Sequence, residues 1–179
     1  IDAAHKLALL ASIAFGIKIQ FDKVYVEGIS HLAQEDFIHA QHLGYRIKLL
    51  AIARHRKEGI ELRVHPTLVK GNELLANVEG SMNAVLVRGD AVGETLYYGP
   101  GAGSEPTASA VIADLVDVTR MHHTDPENRV PHLAFQPDAL ADYSILPIED
   151  TETSYYLRLL VDDQSGVMAE ITRVLAEDD

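Results

Sequence analysis

The chain has 179 residues, of which 47% are hydrophobic, and its 27 acidic and 15 basic side chains give a net charge of −12. This composition supports a packed core and excludes wholesale disorder, while the acidic balance argues against nucleic acid or an anionic membrane as a partner. The absence of cysteine excludes disulfides and thiolate nucleophiles, and without an apolar run of about 18 residues or a basic signal region we expect a soluble, cytoplasmic protein.

The first predicted element is a helix from Asp2 to Phe15, rich in Ala and Leu and followed by Gly16. Asp2 is expected to be its N-cap and Gly16 its C′ residue. Because the helix is apolar on nearly every face, we expect it to be buried. The chain opens at Ile1 directly before this pattern and ends within another helical pattern, so we expect the middle part of a longer polypeptide.

The central part of the chain predicts antiparallel strands between helices. A second helix is predicted over residues 34–43, and the predicted strands cover residues 46–54, 60–64, 84–87 and 95–98. A glycine-rich loop then leads into a helix over residues 107–121. Residues 121–139 show little periodicity, and a strand over 155–161 followed by a helix over 167–175 begins a new unit. The order predicts an α/β fold (α+β-like), with an antiparallel or mixed sheet covered by helices and then a partial βα unit.

Asp2 and Lys6 are four residues apart, which places both on one face of the first helix. The ordinary interpretation is a surface ion pair. However, Lys6 is the only lysine in an otherwise apolar helix, and a lysine at a low-dielectric cleft suits proton transfer. The spacing alone leaves both interpretations open.

Residues 98–107, YGPGAGSEPT, join a predicted strand to a predicted helix. Glycines let the backbone approach a ligand closely, and the N–H groups at a helix start attract negative charge. The segment has neither the Lys-Ser/Thr of a Walker loop nor the spacing of the dinucleotide fingerprint. A ligand-binding loop and a simple tight turn are therefore equally supported.

We expect no metal site. Two sets contain metal-ligating side-chain types: Glu35, His39 and His42 on the second helix, and His122, His123 and Asp125 in a loop. Both are typical of solvated polar residues, because neither imposes the geometry of a coordination site.

Three segments of the chain resemble the homoserine dehydrogenase family. Residues 1–7, IDAAHKL, are similar to the end of the family signature, Asp-x-x-x-Lys. Residues 77–85, NVEGSMNAV, and 98–111, YGPGAGSEPTASAV, are similar to the strands and loop of the family's substrate domain, in the same order.

A fourth segment, residues 155–175 with the sequence DQSGVMAEI inside it, resembles the opening strand and helix of an ACT domain. The combined resemblance implies a substrate-binding and dimerisation domain over 1–122, a linker over 123–150 and a truncated ACT regulatory domain over 151–179.

The resemblance also implies an NAD(P)-dependent enzyme that interconverts L-aspartate 4-semialdehyde and L-homoserine by hydride transfer, on the route to threonine, methionine and isoleucine. It assigns proton transfer to Lys6 and substrate binding to Asp2 and Lys6. The residues that it assigns to the cofactor, NADP or NAD, are Gly101, Gly103, Glu105 and Thr107. A homodimer and an amino-acid effector at the ACT region are expected as well. The family's Rossmann domain and its upstream substrate-binding residues do not occur in these 179 residues, so we expect the isolated chain to be inactive.

A different class of function stays open: a noncatalytic dimerisation or regulatory module that binds a small-molecule effector. Exposed antiparallel strands would suit pairing across a two-fold axis. A third interpretation is another oxidoreductase with a similar substrate domain. The oxidation of NADPH with aspartate semialdehyde, assayed after the upstream region is added, separates the enzyme from the module.

Overall fold

Four α-helices and five strands occur in the described residues, which are 1–123, 125, 130–131 and 133–177 of a computed structural model. The helices are α1 (Asp2–Phe15), α2 (Gln34–His42), α3 (Ser104–Met121) and α4 (Val167–Glu177). The strands are β1 (Tyr25–Val26), β2 (Tyr45–His55), β3 (Ile60–Lys70), β4 (Met82–Gly89) and β5 (Gly93–Pro100). Short 3-10 helices lie at Phe21–Lys23, Leu74–Asn77, Pro137–Ala139 and Ile148–Asp150. No helix within these described ranges has the length and apolar character needed to cross a membrane.

A mixed sheet with the strand order β1-β3-β2 forms the centre of the first 70 residues. β2 and β3 pair antiparallel from Tyr45 opposite Lys70 to His55 opposite Ile60, and β1 pairs in parallel with β3. β3 extends beyond the predicted 60–64 and passes through Pro66. A proline is tolerated there because β1 covers only two residues of β3, which leaves the β1 side of the strand open at Pro66.

Helix α1 buries one face against this sheet. The residues at the centre of the core are Ala4, Leu7, Ala8, Ala11, Ile17, Val24, Ile60, Leu62 and Val64. The opposite face of α1 is open, since Leu9, Leu10 and Ile13 are 43–45% exposed. The expectation that α1 is buried all round is therefore wrong, because the sheet covers only one side of it. Asp2 is also the first helical residue and not the N-cap, a position that Ile1 takes.

The strands β4 and β5 form a separate two-stranded hairpin that leads into α3. Both strands extend beyond the predicted residues, and α3 begins at Ser104, three residues before the prediction. None of the described residues of α3 is buried, and Val111, Ile112 and Leu115 are 53–58% exposed. The hairpin and α3 thus present apolar side chains to solvent.

Residues 133–150, within the predicted linker, return to the sheet. The Ile60 N–H donates to the Ser144 carbonyl at 2.9 Å, and the Leu146 N–H donates to the Ile60 carbonyl at 2.9 Å. Ile145, between these partners, packs against the core. This part of the chain lies against the first domain, and the domain boundaries themselves stay a prediction.

The strand predicted over residues 155–161 is absent, and residues 151–164, all of them described, have an irregular conformation. A strand needs a neighbour for its backbone N–H and C=O groups, and no described strand pairs with this segment. Leu157 and Leu160, at 61% and 102% exposure, accordingly have no sheet face to pack on. Helix α4 forms where it was predicted. The strand before it does not form, so the prediction of an ACT unit rests on the sequence resemblance.

Candidate functional site

The first two turns of α1 bring Asp2 and Lys6 together, as their spacing predicted. The Lys6 Nζ lies 2.7 Å from the Asp2 Oδ2. The hydrogen bond and the positive charge of Lys6 hold the pKa of the Asp2 carboxyl below its usual range. Both side chains project away from the core, with 68% of Lys6 and 80% of Asp2 exposed. Within the described residues Lys6 therefore faces solvent, and the apolar cleft expected around it is not formed.

The start of α1 is held in place by contacts on its other sides. Ala4 is fully buried against the sheet, and the ring of His5 packs against Phe21 at a tilt of 46°, with 3.9 Å between ring centroids. The packed helix thus presents one carboxylate and one ammonium close together on its exposed face. Such a pair can bind a substrate amine through the carboxylate and give a proton to, or stabilise, an oxyanion through the ammonium.

The glycine-rich loop joins β5 to α3, and Gly101 and Gly103 each have a structural reason to be glycine. Gly103 precedes α3 with φ of 123°, a conformation that L side chains rarely adopt. A Cβ on Gly101 would lie 2.5 Å from the Asn83 Nδ2. The Thr107 N–H donates to the Gly103 carbonyl at 3.1 Å, which closes the first turn of α3.

The loop also has features that suit a ligand. A Cβ on Gly103 would meet nothing closer than Pro106 at 3.4 Å, so there is open space beside its backbone. Glu105 and Thr107 are exposed on the first turn of α3. In the described structure the N–H groups of Ser104 and Glu105 donate to no carbonyl, as is usual at a helix start. The sequence predicted a glycine-rich segment between a strand and a helix here. A tight turn that binds no ligand would have the same backbone.

The structure forms two groups from the predicted site residues. One contains Asp2 and Lys6, and the other contains Gly101, Gly103, Glu105 and Thr107. No hydrogen bond or ion pair within the described ranges joins α1 to the loop, because α1 packs on β2 and β3 while the loop belongs to the hairpin. Among the same residues, no group of three or more His, Asp or Glu side chains is placed to hold a metal ion.

Two charged clusters were missed by sequence reasoning, and the first lies on β3. The Glu61 and Arg63 side chains are 2% and 4% exposed, with 3.4 Å between the Glu61 Oε2 and the Arg63 Nη2. Arg56 donates to the Glu61 Oε1 at 2.7 Å. Burial lowers the pKa of the Arg63 guanidinium, and the nearby Glu61 carboxylate acts in the opposite direction. The alternation of apolar and charged residues in β3 predicted that Glu61 and Arg63 share a polar face. A polar face exposed to water has the same alternation, so the pattern could not indicate that these residues are buried.

The second missed cluster surrounds Asp36 of α2. Its carboxylate accepts the Ala33 N–H at 2.8 Å, the Arg158 Nε at 2.6 Å and the Tyr156 hydroxyl at 3.2 Å. The Ala33 N–H in particular, with Arg158 and Tyr156, holds the pKa of Asp36 below its usual range. Tyr156 and Arg158 lie 120 and 122 residues further along the chain. No local sequence pattern could have indicated these contacts.

Comparisons with known proteins agree on one family. A sequence model of the homoserine dehydrogenase family matches residues 1–116. The homoserine dehydrogenases of Pseudomonas aeruginosa and Neisseria gonorrhoeae are 64% and 51% identical to this chain over 177 residues, and each alignment covers 99% of this chain. The chain spans 41% of the length of both relatives.

Solved structures show the same relationship in three dimensions. The crystal structure of a homoserine dehydrogenase from Thiobacillus denitrificans superposes with a TM-score of 0.87 at 62% identity, covering 98% of this chain and 41% of that chain. A homoserine dehydrogenase of S. aureus superposes with a TM-score of 0.63 at 38% identity, covering 79% of this chain and 35% of that chain. These matches confirm the predicted α/β fold, and they show that the chain belongs to the homoserine dehydrogenase family.

Proposed function

We propose that this chain is the substrate-binding and dimerisation part of an NAD(P)-dependent homoserine dehydrogenase, which interconverts L-aspartate 4-semialdehyde and L-homoserine. The observation that carries the proposal is the pair of Asp2 and Lys6, held 2.7 Å apart on α1 within the region that matches the family. The proposed division of the chain is the one that its sequence predicted, with the first domain over residues 1–122.

Lys6 has the proton-transfer role in this proposal. Reduction of the aldehyde places negative charge on the substrate oxygen, and the Lys6 ammonium donates a proton to that atom or stabilises the charge. In the reverse direction a Lys6 amine removes the proton from the alcohol. Asp2 binds the substrate's α-ammonium group through its carboxylate, whose pKa Lys6 holds below the ordinary value.

The glycine-rich loop is the proposed dinucleotide contact, because the open space at Gly103 and the free N–H groups that follow suit a close backbone approach. The residues that would hold the dinucleotide are Gly101, Gly103, Glu105 and Thr107. Glu105 repels phosphate and suits a hydroxyl or amide donor of the dinucleotide. When bound, the nicotinamide supplies or accepts the hydride. In this chain the loop and α1 are separate groups; the substrate would bind at Asp2 and Lys6, and the dinucleotide at the loop.

Two further parts of the proposal concern the C-terminal residues and the exposed apolar surface of the hairpin and α3. Residues 151–179 would belong to an ACT unit that binds an amino-acid effector. The hairpin and α3 would contribute to a homodimer, since Tyr97, Tyr98 and Val85 are 41–67% exposed. The relatives carry the name of an enzyme, which favours this proposal over a noncatalytic module.

The experiment is an assay of NADPH oxidation by the full-length protein that contains this chain. L-aspartate 4-semialdehyde should be reduced rapidly, whereas succinate semialdehyde, which lacks the α-amine, should be a poor substrate because Asp2 has no group to bind. A dimer that binds an amino acid but oxidises NADPH with neither aldehyde would support the noncatalytic module instead.

A further inference from the structure

Two glycines at the end of the β4–β5 hairpin leave room for one side chain of β4. Asn83 pairs directly with Gly99, and Gly101 comes immediately after the end of β5 at Pro100. In an antiparallel pair, a side chain shares one face with the residue opposite and with its diagonal neighbour two residues on. Since neither glycine has a side chain, the Asn83 carboxamide has space to lie across the hairpin to Gly101.

The Asn83 carboxamide occupies the place that a side chain at position 101 would take. A Cβ on Gly101 would lie 2.5 Å from the Asn83 Nδ2, 2.7 Å from its Cγ and 3.2 Å from its Cβ, and these are the three nearest atoms. The φ of Gly101 lies outside the left-handed region, so its backbone conformation is open to other residues. Gly103 differs, because its φ of 123° disfavours any side chain. At position 101 the requirement for glycine therefore comes from Asn83.

A hydrogen bond orients the Asn83 side chain. Its Nδ2 donates to the Ser81 carbonyl at 3.2 Å. A carbonyl can only accept, so the amino half of the carboxamide is the half that lies toward Ser81 and Gly101. The start of β4 is itself anchored, since the Met82 N–H donates to the Glu79 carbonyl at 3.2 Å. Asn83 thus joins the anchored start of β4 to the glycine-rich loop.

From these contacts we propose that Asn83 is a positioning residue, which packs against Gly101 and holds the glycine-rich loop in place for the dinucleotide. The inference rests on the proposed function of this loop as the dinucleotide contact. Asn83 acts through Gly101, which contacts the dinucleotide with its backbone. A side chain at position 101 displaces the carboxamide, and the loop loses its support. A glycine needed only for the approach of the dinucleotide would place no demand on Asn83, so the two reasons can be separated.

A disulfide tests the contact without any dinucleotide, because the chain has no cysteine of its own. The distance of 3.2 Å between the Asn83 Cβ and a Cβ at position 101 is close to the Cβ separation of about 3.5–4.5 Å found in disulfides. Asn83→Cys combined with Gly101→Cys in the full-length protein should therefore cross-link on mild oxidation, which peptide mass spectrometry detects. Val87→Cys combined with Gly101→Cys is the control. Val87 lies opposite Thr95, far from the loop, and should not cross-link to position 101.

The Kd for NADPH, measured by its fluorescence on the full-length protein, tests the positioning role. Asn83→Ala should raise this Kd about 5-fold, the order expected when one hydrogen bond and its packing are lost. Gly101→Ala should raise it by a similar factor, because it displaces the same carboxamide. The double variant should also stay near 5-fold, since one shared contact is lost only once, whereas independent effects would multiply to about 25-fold.

Two comparisons separate positioning of the loop from general loosening of the fold. Gly99→Ala should leave the Kd for NADPH unchanged, since a Cβ there meets no atom within 4 Å. In Asn83→Ala the KM for L-aspartate 4-semialdehyde should also be unchanged, because the proposed substrate residues lie on α1. Should Asn83→Ala fail to fold, Asn83→Thr supplies a residue that favours strands and lacks the carboxamide, and it should raise the Kd about 5-fold as well.

The inference is overturned if positions 83 and 101 do not cross-link, if a folded Asn83→Ala or Asn83→Thr protein keeps the original Kd, or if the double variant reaches about 25-fold. An equal rise in the KM for the aldehyde would likewise show a general structural effect. Failure of the proposed function gives a different result: the full-length protein then binds no NADPH before any substitution, even where the cross-link forms. That result would remove the dinucleotide role of the loop and with it the positioning role of Asn83.

Discussion

Gly103 combines a backbone requirement with a proposed ligand contact. Its φ of 123° disfavours any side chain, and a branched one most of all. In the full-length enzyme, Gly103→Val should raise the KM for the dinucleotide about 10-fold, in line with the strain of an unfavourable backbone conformation. Steady-state kinetics with varied NADPH would measure this effect.

The matched control for Gly103→Val is Gly99→Ala, since a Cβ on Gly99 meets no atom within 4 Å and its φ lies outside the left-handed region. This variant should keep normal kinetics. A folded Gly103→Val protein with unchanged cofactor kinetics would show that the loop is only a turn.

Residues whose partners are near in the sequence could be predicted, and residues with distant partners could not. Asp2 and Lys6 form the expected pair because helical geometry alone brings i and i+4 together. Asp36 was not recognised, since its long-range contacts come from Tyr156 and Arg158 at the other end of the chain. The exposure of Lys6 was not predicted either, because it depends on what covers α1.

Among the elements, residues 133–150, which return to the sheet and which we call the return segment, make the most specific demand on sequence. A Cβ on Gly59 would lie 2.5 Å from the Ser144 carbonyl oxygen, so the segment would have to move away from β3. Gly59→Ala should destabilise the protein by about 1–3 kcal/mol, the usual cost of overpacking. Unfolding in urea would give the value.

Gly28→Ala is the control for this substitution, because a Cβ there meets no atom within 4 Å. The difference between the two variants reports the crowding of the new Cβ against Ser144 and Leu146, together with the unfavourable φ of 159° at Gly59. Equal stability of the two variants would contradict the packing of the return segment on β3.

The contact of Asp36 with Tyr156 and Arg158 depends on pH through the pKa of Asp36, which lies below its ordinary value of 3.8. The Ala33 N–H, Arg158 and Tyr156 all favour the ionised carboxylate. The contribution of these contacts to stability is therefore present above the ordinary pKa of 3.8 and is lost as pH falls through the lowered pKa of the folded protein. An NMR titration of the Asp36 carboxyl carbon should give a midpoint below 3.8, and Arg158→Gln should raise that midpoint. A midpoint at or above 3.8 in the unmodified protein would contradict the contacts described for Asp36.

Periodicity predicted the elements that are stabilised locally. The predictions of α2, the β2–β3 pair and the β4–β5 hairpin are confirmed because helical and alternating patterns specify them without reference to the rest of the chain. The strand predicted over residues 155–161 is wrong, since a single strand without a paired neighbour gains no ladder of hydrogen bonds. The sequence predicted burial on nearly every face of α1, but only one face is buried. The number of buried faces depends on how many layers pack around the helix.

For the whole molecule, the apolar surface of the hairpin and α3 predicts self-association. Val85, Tyr97 and Leu115 are exposed on this surface, at 41%, 67% and 57%. Analytical ultracentrifugation at about micromolar concentration, the range of an ordinary specific interface, should show a homodimer. Tyr97→Glu should weaken the dimer, whereas Tyr155→Glu, at an exposed position outside the hairpin and α3, should not. A monomer at this concentration would count against the proposal.

We propose that α1 carries the reactive pair, Asp2 and Lys6, and the turnover of Lys6→Ala in the full-length enzyme tests this most directly. The rate of NADPH oxidation with L-aspartate 4-semialdehyde should fall by about 10²–10⁴-fold, the range for a positioned acid or base. The affinity for NADPH should barely change, and Lys18→Ala, which removes another exposed lysine, should keep normal turnover. In the same assay Asp2→Asn should chiefly raise the KM for the aldehyde. Near-normal turnover in a folded Lys6→Ala protein would contradict the account, because the pair would then be only a surface ion pair.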